Sequence, residues 1–520
     1  MKRLFNLFTL LIIGSSAFAQ TATDGMQAVQ VEKYAKAKSI FQSLISAKPT
    51  DAPNYYFLGD IYLKNDDDDS AKIAFDKGIA ANSLHPYSYI GLGKIDLKKG
   101  DDAAAKLNFE KAVTLGGAKD FYTLLYIGEA YSKKNSEQAL LYLNRALKLN
   151  AKSPELYTAI GDVYLEKNMG SEAILNYDKA FAINKNLPKV NLRIGQVYKR
   201  ALNYQASQES IDKAIALDPN YAPAYRELGE LWYSQGKYDK AIENYKKYVD
   251  MTDNSFDTRS RYASFLFLTK DYKSAVSEIN QLMQKDSSKY VLYRLLAYSA
   301  YETEEYPSGL MAINKLFTIA PSNKIIGSDY EYLGKLQIKS GQDSLGIQNL
   351  EKAVAQDTTN LDSYSELGSA YYKMKNFSKS AASYQKKIDN KKATTIDYFY
   401  YGRSLYLNQE FEKSDSAFAT LNRVQPNFPT AYLYRARINS KMDMDSKKGL
   451  SKPFYEKFLE LVTYDPATPT KNKNELVEAN SYMGYYYFLQ KDNAKARTFW
   501  QKVKDIDPAN KQATEVLKQL

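Results

Sequence analysis

A protein that transforms a substrate needs side chains that move protons, attack bonds or hold metals, and this chain of 520 residues has few arranged for such work. It contains no Cys, which removes disulfides, thiolate metal sites and cysteine nucleophiles. Its single His, His85, precedes Pro86 with no second His or Cys to join it, so every Ser-His or Cys-His pairing would have to run through that one residue. The densest acidic run, Asn65-Asp66-Asp67-Asp68-Asp69-Ser70, offers the oxygen donors that Ca²⁺ takes. It lacks the spacing of a known calcium loop and reads as a solvated turn. Asp and Glu are numerous, yet no pair stands at a defined cleft, so a glycosidase has no support. No catalytic residue, metal ligand or cofactor site is expected, and the chain reads as a non-enzyme. What it does have is 46 Tyr and 22 Phe beside 71 Lys and Arg, the residue types of recognition surfaces.

The first nineteen residues read as an address. Lys2 and Arg3 precede the apolar run Leu4 to Ile13, and Ala17-Phe18-Ala19 has the small-x-small pattern of a cleavage site before Gln20. The run is shorter than the about 20 apolar residues a membrane span needs. The expected mature chain is exported, with a periplasm as its compartment, has no transmembrane segment, and is soluble or peripherally associated with the envelope. The whole chain carries +11, and loss of Lys2 and Arg3 leaves +9. Basic charge with Tyr fits polyanions. Export argues against nucleic acid and leaves anionic envelope polymers.

The elements that position everything else repeat. A small residue, usually after a bulky apolar one, recurs at Gly59, Gly93, Gly128, Gly161, Gly195, Gly229, Ala263, Ala297, Gly334, Gly368, Gly402, Ala436 and Gly484, mostly 34 residues apart. Gly25 heads one earlier unit, giving about fourteen. In the unit Tyr221–Asp250, Pro223 opens a helix whose Tyr225, Leu228, Gly229 and Trp232 share a face. Gly236 ends it, and Tyr238, Ala241, Ile242, Tyr245 and Tyr248 form the inner face of a second helix. One hairpin cannot bury its apolar face alone, so the units must stack into an all-α solenoid. The expected boundaries are the solenoid over 20–440, an irregular insertion over 441–478, a last unit over 479–508 and a capping helix over 509–520.

The period and pattern resemble the tetratricopeptide repeat family. Its large residue, Leu-Gly pair and aromatic match Tyr55, Leu58-Gly59 and Tyr62, then Tyr157, Ile160-Gly161 and Tyr164, then Tyr364, Leu367-Gly368 and Tyr371. Its second-helix pair matches Ala71/Phe75, Ala105/Phe109, Ala173/Tyr177, Ala241/Tyr245 and Ala496/Trp500, and its closing proline matches Pro49, Pro219, Pro321, Pro426, Pro466 and Pro508. Ser207, Ser380 and Ser414 replace the small Ala, and Asp96 and Gln337 replace the first-helix aromatic. The resemblance implies a right-handed superhelix whose first helices line a concave, partner-binding groove. The groove positions so implied form one patch of Lys189, Arg193, Lys199, Arg200, Arg226, Arg261 and Arg294 with Tyr233, Tyr298 and Tyr301. A second holds Tyr400, Arg403, Tyr406, Tyr434 and Arg437. Arg193, Arg226, Arg261 and Arg294 are expected as an exposed strip. The family's carboxylate clamp needs groove asparagines, and the matching positions here are Asp60, Lys94, Glu129, Asp162 and Gln196, so no clamp is expected. The function implied is a scaffold for peptide segments or protein partners; the alternative is a binder of an anionic envelope polymer.

Export is directly checkable. N-terminal sequencing of the secreted protein should begin at Gln20, and a mature form retaining Met1 would contradict the reading.

Overall fold

The computed structural model describes residues 21–117, 119–468 and 470–520. The expected signal segment lies outside them. The described residues contain 29 α-helices and no strand. The first 28 pair into fourteen antiparallel hairpins, and Lys511–Gln519 follows alone. The chain divides into two compact units, the first ending at Asp286 and the second running Ser287–Leu520. Within each, a hairpin packs on the next in chain order. No described helix is long and apolar enough to cross a membrane.

Local chemistry explains the hairpin. In the seventh, Ala222–Ser234 begins with Pro223 in its first turn, where the missing N–H does no harm. Gly236 adopts φ +70°, and Lys237 N–H returns to the Trp232 carbonyl at 2.9 Å, closing the helix end. The second helix, Tyr238–Met251, then runs back against the first. Most other turns use the same left-handed residue without glycine, for example Asp66, Leu202 and Lys375.

The close crossing comes from rings seated on glycines. Phe75, fully buried, lies between Gly59 of its own hairpin and Gly91 of the next, and a methyl on either glycine would overlap its ring. Phe109 against Gly93, Tyr384 against Gly368 and Trp500 against Gly484 repeat the arrangement. At Gly229 the obstacle is backbone: a methyl there would meet the Ala241 carbonyl oxygen at 3.1 Å.

The departures from the repeat pattern are compensated locally. Ser207, Ser380 and Ser414 are buried and donate to the carbonyls of Gly195, Gly368 and Gly402 at 2.8, 2.8 and 2.7 Å, so each hydroxyl finds a partner in the facing helix. Where Asp96 and Gln337 replace an aromatic, Asn108 and Asn349 donate to them at 2.8 Å each.

The thirteenth hairpin pairs Pro429–Met442 with a shortened Lys452–Leu461 across a long turn. Asp443 gathers that turn by accepting from Lys448 and Leu450 N–H, both at 3.3 Å. The last hairpin begins at Lys473, earlier than the boundary of 479 expected from the repeat, because its first helix is longer than its counterparts and runs Lys473–Leu489. In the terminal helix Ala513 is buried, and Val516, Leu517 and Leu520 pack on Trp500 and Val503.

Gly59→Ala and Gly91→Ala should each destabilise by about 1–3 kcal/mol through overpacking. Hydrogen exchange should rise in the second and third hairpins and spare distant ones. Phe75→Leu in the Gly59→Ala background should recover part of the loss. Uniform exchange along the chain would contradict the hairpin-by-hairpin account.

Candidate functional site

In the second to seventh hairpins, the residue after the repeat glycine is Asp60, Lys94, Glu129, Asp162, Gln196 or Glu230, and all six line one cavity of about 560 Å³. Lys64, Lys133, Glu166, Arg193, Lys199, Arg200 and Glu227 complete its charged wall. A 34-residue period therefore stacks acids and bases along one face.

Most of these charges are already paired between neighbouring hairpins. Lys94 donates to Asp60 at 2.7 Å and to the Tyr56 hydroxyl at 2.9 Å. Burial opposes ionisation of Asp60, but Lys94 and Lys64 outweigh it and hold the carboxyl at about 2. Arg193 Nε stands 2.9 Å from Asp162, which also accepts from Tyr177 at 2.8 Å. Gln196 bridges onward, accepting from Arg193 at 2.8 Å and donating to Glu227 at 2.6 Å. Lys199 pairs with Glu227 and, at 2.9 Å, with Glu230. Arg200 donates to the Leu165 carbonyl at 2.6 Å. Among the described residues the Glu129 side chain takes no hydrogen bond. Its enclosure raises its pKa, Lys189 and Lys94 pull it down, and Asp60 and Asp162 push it up.

The first hairpin, Ala22–Gln30 and Tyr34–Ala47, closes onto the seventh. Glu32 in its turn accepts from Arg226 and, at 2.7 Å, from Tyr248. Val31 packs on the apolar cluster of Tyr221, Tyr245, Tyr248 and Val249. Asp253 accepts from Ala35 N–H at 2.5 Å and supplies the anion that the second helix lacks at its own N-cap, Lys33.

In the second unit the same kind of pairing recurs. Arg294 grips Asp329 with two bonds of 2.7 Å, and Asp329 is fully buried. Lys335 pairs with Glu331 at 2.7 Å, Lys387 with Asp397 at 3.2 Å, and Arg437 with Glu478 at 2.6 Å. A smaller cavity of about 200 Å³ is lined by Phe399, Arg403, Leu433, Tyr434, Arg437 and Phe458 among others.

These placements correct the expected strip of free arginines. Arg193 is tied to Asp162, Arg226 to Glu32 and Arg294 to Asp329, because a half-buried guanidinium in this fold recruits a carboxylate from another hairpin. Tyr298 is buried, donates to Asp329 at 2.8 Å and stacks on Tyr332 at 3.9 Å, so it is core and not contact surface. Tyr301, Tyr400 and Tyr434 are half-buried, packed respectively on Tyr332, Tyr384 and Phe418. Arg200 and Arg437 are engaged as described. Lys189 and Arg261 are exposed, and Arg403 lies over Tyr372 at 5.2 Å; none of the three has an acidic partner among the described residues. Arg193 and Arg200 share the larger cavity, and Arg403, Tyr434 and Arg437 the smaller. The acidic run is a helix start: Asp67 caps Ser70 N–H at 3.0 Å, and Lys98 pairs with Asp66 and Asp68. His85 packs edge-on to Tyr87 at 4.6 Å. Glu32 and Asp253 escaped the sequence reading, since nothing local marks residues about two hundred positions apart as neighbours.

Two segments, residues 192–256 and 52–83, match models described as tetratricopeptide repeat. No curated protein matches. Among solved structures, the C-terminal part of a TPR repeat-containing protein from Cytophaga hutchinsonii is 37% identical, covering 50% of this chain and 99% of that one, with TM-score 0.44. A tetratricopeptide repeat protein from Parabacteroides merdae is 16% identical, covering 48% and 98%, with TM-score 0.36.

The Asp60 pairing makes an acid prediction. A carboxyl held at about 2 contributes stability that is complete above its ordinary value near 3.9 and lost as pH falls through 2. The opening free energy of the second and third hairpins, read by hydrogen exchange, should fall by about 2 kcal/mol over that window. Asp60→Asn should be weaker at neutral pH and flatter below pH 4; parallel curves for the two proteins would contradict the pairing.

Proposed function

We propose that this chain, a member of the tetratricopeptide repeat family, acts outside the cytoplasm and gathers partners by taking their peptide segments into the groove lined by its first helices. As a tetratricopeptide repeat protein it is a protein–protein interaction scaffold; the groove and the exported setting are the finer reading. The observation that carries the reading is the 560 Å³ cavity of the first unit, whose walls carry both acids and bases on helices linked by ion pairs. Such a wall offers a passing peptide both donors and acceptors at fixed spacing, with little ordering left to be done on binding. An anionic polymer would need a row of free cations, and most cations along this groove already hold a carboxylate. That balance favours peptides of mixed charge.

Lys189 and Arg261 in the first unit and Arg403 in the second are the expected contact cations without an acidic partner among the described residues. Replacing all three with Ala should shift the thermal midpoint hardly at all, because no internal pair is broken. Capture of the natural partner from envelope extract should fall at least tenfold, which asks only about 1.4 kcal/mol of three residues together. Undiminished capture would move the contact away from these positions. By contrast, Arg294→Ala should itself destabilise the second unit by about 3–5 kcal/mol, since it strands the buried Asp329.

A further inference from the structure

The contact between the first and seventh hairpins has the make-up of a recognition site filled from within. Glu32 belongs to the turn of its hairpin, at φ +59°, so its side chain is presented at the hairpin tip. One of its oxygens takes both the Arg226 guanidinium and the Tyr248 hydroxyl, and Arg226 also lies over the Tyr248 ring at 5.3 Å. The carboxylate is mostly enclosed, with 13% of the side chain exposed. Val31, the residue before it, fills an apolar wall that includes Tyr221, Tyr245 and Val249. A guanidinium and a phenol converging on one oxygen beside an apolar wall select a carboxylate that follows an apolar residue. The seat belongs to the seventh hairpin and is built by that hairpin's own packing: Tyr248 and Tyr245 are buried in its second helix, and Arg226 is carried by its first. Among the described residues, the hairpin that fills it packs also on the second hairpin, and its Ala35 N–H donates to Asp253. Its docking is therefore a local contact that can open without unfolding the array.

We propose that Arg226, Tyr248 and the adjoining apolar wall form a receptor for an apolar–acidic dipeptide within a partner segment, and that Val31–Glu32 occupies it in cis until such a segment displaces the first hairpin. The inference rests on reading the groove as the partner-facing side, and it adds a named ligand chemistry and a self-blocking contact. Arg261, exposed and without an acidic partner, lies near enough to act on Tyr34 and Tyr245 and adds positive potential at the same place.

The test uses the full chain and a synthetic peptide, acetylated and amidated, with the sequence of Gln27–Lys38. Wild type should bind it weakly, because the seat is filled. Glu32→Ala should bind it at least tenfold more tightly, and adding Arg226→Ala should abolish that gain. A peptide with Gln in place of its Glu should bind the Glu32→Ala protein at least tenfold less well. Equal binding by wild type and Glu32→Ala, or equal binding of the two peptides, would overturn the proposal. In parallel, the milder Glu32→Gln should raise hydrogen exchange across residues 22–47 while leaving the third to sixth hairpins unchanged. Unaltered exchange in the first hairpin would also overturn it. Loss of partner capture in a variant changed only at Lys189 and Arg403 tests the groove reading without touching the seat, so the two can fail independently.

Discussion

The close seating of the second helix against a small residue of the first, in hairpins such as the second, third and eleventh a ring against a glycine, is the constraint on which the rest depends. Phe75 between Gly59 and Gly91 shows why: the ring fills the space that the missing side chains leave, and it ties one hairpin to the next in the same contact. With the crossing fixed, the residues after the repeat glycines of the second to seventh hairpins come to share one cavity wall. A regular period then becomes a row of side chains one hairpin apart, as Asp60 and Lys94 are when they meet at 2.7 Å.

That row is mostly self-neutralised. A cation held half out of water beside a carboxylate of another hairpin gains from the pairing, and removing either partner strands the other. Asp60–Lys94, Asp162–Arg193, Glu227–Lys199 and Asp329–Arg294 all link different hairpins. The groove charges thus serve first as clasps between repeats. Of the cations expected at the groove, Lys189, Arg261 and Arg403 have no such clasp among the described residues. Glu32 with Arg226 and Tyr248 makes such a pair between hairpins far apart in sequence, the first and the seventh.

The repeat made most of the fold legible. The 34-residue spacing of glycines located fourteen hairpins, and Ala241 and Gly229 marked a crossing that the structure places at backbone contact. The substitutions that break the pattern carried more information than their types suggest: Ser380 lies twelve residues from the Gly368 carbonyl it bonds, and Asn349 twelve from Gln337. The site was less legible. Helical spacing tells which face of a helix a residue occupies, but not whether a carboxylate on another hairpin reaches it first. Arg226 and Arg294 are engaged by carboxylates of other hairpins, and Tyr298 is buried by Tyr332 one hairpin on. The closure through Glu32 depends on how the successive packings from the first hairpin to the seventh accumulate, which no local pattern encodes.

That closure is the most direct test of the account, because it decides whether the groove of the first unit is open or self-blocked. The chain has no cysteine, so Lys36→Cys and Asn254→Cys would carry the only two spin labels, both at exposed positions on either side of the contact. Pulsed dipolar spectroscopy on the full chain should give one short, narrow distance population that broadens when Glu32→Ala is added. A broad, long population in the unmutated pair, insensitive to Glu32, would contradict the closed first unit and the proposal built on it.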